Sequence, residues 1–199
     1  MRIMVVGATG TIGKAIVENL GLHHTVIKVG NTKGDHHVDI NSSQSIKDLF
    51  KAVGKVDAIV SATGNLHFGP LAEMTAEDFN LGLQDKLLGQ VNLVLIGQHY
   101  LNDGGSITLN SGIVSAYPII GGVNATSVNA AIEGFVLGAS IELKDGQRIN
   151  AVCPSVVTES LDTYGAFFPG YESVPVSRVA NAYQRSVEGP LTGQVFKVW

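Results

Sequence analysis

Short, nearly unbroken apolar runs rich in β-branched residues recur along the chain: Ile3–Val6, Thr25–Val29, Ala58–Ser61, Ser106–Leu109, Arg148–Val152 and Val195–Val198. A strand wetted on one side alternates polar with apolar residues, whereas a strand covered on both faces does not. Between these runs, Ile12–Leu20, Ser45–Val53, Thr75–Leu101, Val123–Leu143 and Val176–Val187 carry helical spacing. In the fourth stretch, Val128, Ala131, Ile132, Phe135, Val136 and Ala139 line up along one predicted face. The alternation predicts an α/β chain, a Rossmann-like doubly wound parallel sheet of about seven strands with helices on both faces. It forms one domain over residues 1–199. Ligands of such sheets bind beyond the carboxyl ends of the strands. The loops beginning at Gly7, Gly30, Ala62, Asn110 and Cys153 are therefore where a site is expected.

Charge narrows the partners. Lys and Arg total 13 against 17 Asp and Glu, for a net charge of −4. With no run of basic residues, neither a nucleic-acid nor an anionic membrane surface is expected. A single cysteine excludes an internal disulfide framework and any multi-cysteine metal site, so the chain reads as cytoplasmic. The adjacent pairs His23-His24 and His36-His37 cannot converge on one ion and read as surface turns, so no metal is expected. No apolar stretch has the length of a signal-peptide core or a membrane span.

The most informative loop is Gly7-Ala8-Thr9-Gly10-Thr11-Ile12-Gly13, between the first predicted strand and helix. Glycines there let a backbone approach a pyrophosphate, and the helix N-terminus supplies free N–H groups. The spacing is G-x-x-G-x-x-G rather than the usual G-x-G-x-x-G, and a plain tight turn is the alternative.

Further landmarks follow. They are Asp39-Ile40, Ser61-Ala62-Thr63-Gly64, Gly69-Pro70-Leu71, Ala130-Ala131-Ile132-Glu133-Gly134, Arg148-Ile149-Asn150-Ala151-Val152-Cys153-Pro154 and Thr192-Gly193-Gln194. Taken together they resemble the short-chain dehydrogenase/reductase superfamily over nearly the whole chain. The resemblance implies a dinucleotide held by Gly7, Thr9, Gly10, Thr11, Ile12 and Gly13, with Asp39 and Ile40 at the adenine. It also implies that Ser61, Ala62, Thr63 and Gly64 close the fourth strand and that Pro154 flanks the nicotinamide. The second strand runs into Asn31-Thr32-Lys33 with no acid before Asp35. An acid there would hold the ribose hydroxyls of NAD, while Lys33, Asn31 and Thr32 suit a 2′-phosphate. The expectation leans to NADP.

The family's catalytic machinery is replaced. Aligned on Ala130–Gly134, its tyrosine falls on Ala125, its lysine on Asn129 and its serine on Gly112. The family's water-holding asparagine falls on Lys86. No Tyr-x-x-x-Lys occurs in the chain. Methyl and carboxamide groups do not exchange protons near neutral pH, so a proton would have to come from Ser111, Tyr117, Lys86 or water. Each has a plainer reading: a capping hydroxyl, a packing ring, a solvated lysine. His67 is a weaker candidate. The aromatic residues between Glu159 and Pro175 either line a small apolar substrate pocket or pack that segment onto the sheet.

Two functions are expected from this pattern. One is an oxidoreductase of the short-chain type with an unknown small-molecule substrate, including an easily reduced one such as a quinone. The other is a non-catalytic NADP-binding sensor. The glycine spacing also suggests a sugar-nucleotide epimerase, which the same missing tyrosine and lysine argue against. By analogy with relatives, Thr75–Leu101 and Val123–Leu143 imply a homodimer or homotetramer.

Overall fold

A computed structural model describes residues 1–199 and shows seven parallel strands in the order β3-β2-β1-β4-β5-β6-β7. The strands are β1 (Arg2–Val6), β2 (Thr25–Gly30), β3 (His36–His37), β4 (Val56–Ser61), β5 (Leu101–Asn110), β6 (Arg148–Pro154) and β7 (Val195–Val198). Strand order reverses between β1 and β4, which opens a crevice at their carboxyl ends. The helices are α1 (Thr11–Leu20), α2 (Ser43–Val53), α3 (Ala76–Gly82), α4 (Gly89–Gly97), α5 (Val123–Ala139), the one-turn α6 (Leu161–Tyr164) and α7 (Val176–Glu188). None is long and apolar enough to cross a membrane.

Both faces of the sheet are covered, as the apolar runs require. In β1, Met4 and Val6 join Phe50, Ile59, Leu93, Ile132 and Val136 on one face. Ile3 and Val5 join Ile16, Val60, Val179 and Tyr183 on the other. Alternate side chains of one strand thus enter opposite cores.

Three expectations change. His36-His37 is a short strand rather than a surface turn, with Val29 opposite His36. The turn before it folds back onto β2. The Asp35 N–H donates to the Lys28 carbonyl at 2.7 Å, and the Lys28 N–H donates to the Asp35 carboxylate at 2.9 Å. The predicted helix Thr75–Leu101 is interrupted by a wider π turn at Leu83–Leu88 and ends in a 3₁₀ turn at Gln98–Tyr100, and Leu101 already belongs to β5. A π turn slips the side-chain register without altering composition, so spacing alone does not mark it. Lastly, α5 stops at Ala139, and Ala131, expected on its apolar face, is exposed.

One side chain couples the π turn to the sheet. Gln90 is fully buried, and its Oε1 accepts from the Asn110 N–H at 2.8 Å. Its Nε2 donates to the Asn110 carbonyl at 3.0 Å and to the Lys86 carbonyl at 3.1 Å. This clamp fixes the end of β5 against the turn that carries Lys86. Replacing Gln90 with leucine strands those buried groups without partners, so urea unfolding should show a loss of about 2–4 kcal/mol. An unchanged midpoint would mean that water or another donor takes over.

Candidate cofactor and substrate site

The glycine loop stands at the crevice. Gly7 has φ +84°, where a side chain is strained, and a Cβ there would collide with the Ala62 carbonyl. A Cβ at Gly13 would collide with the Gly7 carbonyl. Gly10 differs: φ −76° and ψ 173° suit any residue, and a Cβ would meet only the Gly7 oxygen at 3.5 Å. Nothing within the protein requires glycine at this exposed position, where no side chain caps α1. The bare surface beside the first N–H groups of α1 has the shape and polarity that a diphosphate needs.

Two depressions flank this loop. Toward β2 lies a cleft of about 110 Å³, with Gly7, Asn31, Asp39, Ile40 and Thr63 in its wall. Toward β4–β6 lies a cavity of about 380 Å³, whose lining includes Thr11, Ile12, Ala62, Gly64 and Pro154. Its floor carries Lys86, Asn110, Ser111, Gly112 and Asn129, and its wall Leu66, Phe68, Ile113, Tyr164 and Phe168. The cleft and the cavity together account for most of the residues singled out in the sequence.

The remainder fall outside both. Ser61 is buried in β4, and its carbonyl accepts from the Tyr183 hydroxyl at 3.0 Å. Thr9 is exposed on the glycine loop, and Thr32 and Lys33 are exposed in the turn after β2. Tyr117 does not face the cavity: its ring meets Trp199 edge-on at 6.1 Å, and its carbonyl accepts from the Tyr171 hydroxyl at 2.8 Å. The tyrosine that lines the cavity is Tyr164. Ala125 is also absent from the lining, being fully buried in an apolar cluster with Ile113 and Val114.

Lys86 is buried rather than solvated. The stem of its side chain packs on Gly64, and its Nζ donates to the Ser111 carbonyl at 3.3 Å. The chain's ion pairs are His24–Glu188, Lys51–Asp48 and His67–Asp78, so no carboxylate neutralises Lys86. Loss of hydration lowers its pKa to about 8. Asn110 and Asn129 line the same cavity, and their Oδ1 atoms are buried and receive no hydrogen bond. Acceptors lacking donors, beside an ammonium with spare N–H groups, match the hydroxyls and carboxamide of a nicotinamide riboside.

Glu133 is a participant that sequence reasoning used only as an alignment landmark. Its Oε1 accepts from Ser111 Oγ at 2.5 Å and from Ser115 Oγ at 2.7 Å. Cys153 Sγ lies 3.8 Å from Ser115 Oγ, and burial pushes its thiol up to about 12. The Ser111 proton is therefore committed to a carboxylate, which leaves Lys86 as the strong donor in the floor.

Comparison with known proteins agrees with the fold. The family described as enoyl-(acyl carrier protein) reductase matches residues 14–179. The chain is similar to a hydroxynaphthalene reductase of Aspergillus fumigatus, 28% identical over 122 residues, which cover 61% of this chain and 45% of that protein. A tropinone reductase homolog of Arabidopsis thaliana is 26% identical over 193 residues, covering 82% of this chain and 70% of its own. The chain thus spans less than half of the former and most of the latter. Among solved structures, the protein lin1944 of Listeria innocua is 46% identical with a TM-score of 0.99, each chain covered to 100%. A small-chain dehydrogenase in complex with NADPH is 25% identical with a TM-score of 0.88, covering 100% of this chain and 96% of that one.

A buried, unpaired ammonium costs stability. The unfolded chain holds the Lys86 proton up to about pH 10.5 and the folded chain only up to about pH 8. Between those values the unfolded state binds more protons, so stability rises with pH across that window, and the penalty is complete below it. Lys86→Met should therefore stabilise the protein at pH 7 by on the order of 3 kcal/mol, the gain fading toward pH 10.5. A destabilised variant in chemical denaturation would show that Lys86 is held for structural reasons.

Proposed function

The chain belongs to the short-chain dehydrogenase/reductase superfamily, and from that premise we propose that it is a cytoplasmic NADPH-dependent reductase in which Lys86 delivers the proton. The observation that carries this reading is the unpaired ammonium of Lys86 in the floor of the cavity, beside acceptors that lack donors. The glycine loop would hold the diphosphate, and Asn31, Asp39, Ile40 and Thr63 the adenosine. Lys86, Asn129 and Pro154 would surround the nicotinamide riboside. The bound cofactor supplies hydride. Lys86, oriented by the Ser111 carbonyl, gives a proton to the oxygen being reduced and is then reprotonated from solvent. Phe68, Tyr164 and Phe168 offer an apolar wall suited to a small aromatic carbonyl or a quinone.

The preference for NADP rests on the end of β2. The acid of the turn after β2, Asp35, has its carboxylate held by the Lys28 N–H, leaving Lys33 in the same turn for a 2′-phosphate. The NADPH complex of the similar small-chain dehydrogenase supports this assignment.

The helices also support self-association. On α4 and α5 Leu95 and Leu137 are exposed, beside Leu88 and Ile141 just beyond. A helix that is apolar all round is normally covered, and a second copy is the proposed cover.

NADPH oxidation across a panel of quinones and small carbonyls tests the proposal. Activity should fall as pH rises through about 8, because the protonated amine is the acid. Lys86→Met should lower kcat by about 10²–10⁴-fold. Lys33→Ala should weaken NADPH by about tenfold and leave NADH unaffected. Tight cofactor binding without turnover of any panel member would replace the reductase with the sensor reading.

A further inference from the structure

We propose that this site separates the reduced from the oxidised dinucleotide, and that the Lys86 ammonium makes the distinction. The inference rests on the cofactor reading above. NADPH and NADP⁺ share the same phosphates, riboses and adenine. They differ by a hydride, and so by one positive charge on the nicotinamide ring. The cleft beside Asn31 and Asp39 and the cavity beside Lys86 lie on opposite sides of the glycine loop, so a dinucleotide spanning that loop puts one end in each. The end that takes the 2′-phosphate lies toward β2, which leaves the nicotinamide in the cavity with Lys86.

That cavity holds one charged side chain. Lys86 is only 5% exposed, has no carboxylate partner, and spends one N–H on the Ser111 carbonyl. None of the titratable groups nearby forms an ion pair with Lys86. Cys153 of β6 is a neutral thiol, because burial pushes it up to about 12. Glu133 of α5 accepts two serine hydroxyls. Asp85, next to Lys86 in the chain, accepts the main-chain and side-chain N–H groups of Asn65, both at 2.9 Å. His67, in the loop after β4, faces Asp78 at 3.7 Å.

A buried cation with no ion-pair partner repels a pyridinium ring and tolerates a neutral dihydropyridine. At about 8 Å and an effective dielectric of about 20, the repulsion is worth roughly thirtyfold in a binding constant. Any hydrogen bond that Lys86 would give to the ribose is common to both forms, so the ratio of the two affinities isolates the charge.

Titration calorimetry of the full chain with NADPH, NADP⁺ and adenosine 2′,5′-bisphosphate tests this. The wild type should favour NADPH over NADP⁺ by about thirtyfold more than Lys86→Met does. The bisphosphate, which has no nicotinamide, should bind both proteins alike. Raising the pH from about 7 to about 9.5 should shrink the wild-type ratio toward that of the variant. Lys86→Gln, which keeps hydrogen-bonding capacity without charge, should behave as Lys86→Met. An NADPH to NADP⁺ ratio equal in wild type and both variants, with all three ligands bound, would overturn the inference and leave the cofactor reading standing. Binding of none of the three ligands to the wild type would overturn both.

Discussion

The site depends on a buried amide. Without the hydrogen bonds between Gln90 and both main-chain groups of Asn110, the end of β5 and the π turn would be held together mainly by packing. Apolar packing sets distance well and direction poorly, because dispersion is nearly isotropic. Gln90 adds direction. It fixes the strand end from which Ser111 presents its carbonyl and the helical turn from which Lys86 reaches that carbonyl. The wider winding at Leu83–Leu88 then becomes intelligible, since π turns recur where a helix must aim a side chain inward.

Two charges near this floor are treated in opposite ways. The Glu133 carboxylate is satisfied by two hydroxyls. Lys86 has one carbonyl and no counter-ion. Folded proteins seldom keep an ionised amine in that state, because desolvation opposes it and little is gained in return. When one of two neighbouring charges is satisfied and the other is not, the unsatisfied one points to something that arrives later.

How much of this was readable in advance depends on the range of the interaction. The double-faced sheet was legible because burial on both sides writes itself locally, as in Ile3-Met4-Val5-Val6, whose side chains divide between two cores. The glycine loop was legible for the same reason. The two-residue strand His36–His37 was not, because it is made by the Asp35 and Lys28 main chain closing on itself, whatever the histidines prefer. Lys86 entered the discussion through an alignment, and its burial came from Gly64, which leaves room for the lysine stem. The contacts of Gln90 and Glu133 left no mark in the sequence, since their partners Asn110 and Ser111 lie far along the chain, at the carboxyl end of β5. Tyr117 looked available because a loop aromatic carries no sign of the ring, here Trp199, that holds it elsewhere.

Ala125 shows how packing limits the chemistry this cavity can hold. It occupies the place that the resemblance assigns to the family's phenol. The space around it is filled by Ile113 and Val114, with Phe68, Tyr171 and Trp199 packed against that cluster. A tyrosine put back at this position would meet a filled core instead of a waiting gap, and overpacking is as disruptive as a cavity. Packing at this position is therefore a constraint on chemistry as well as on stability: a side chain that donates a proton here has to come from the cavity lining instead.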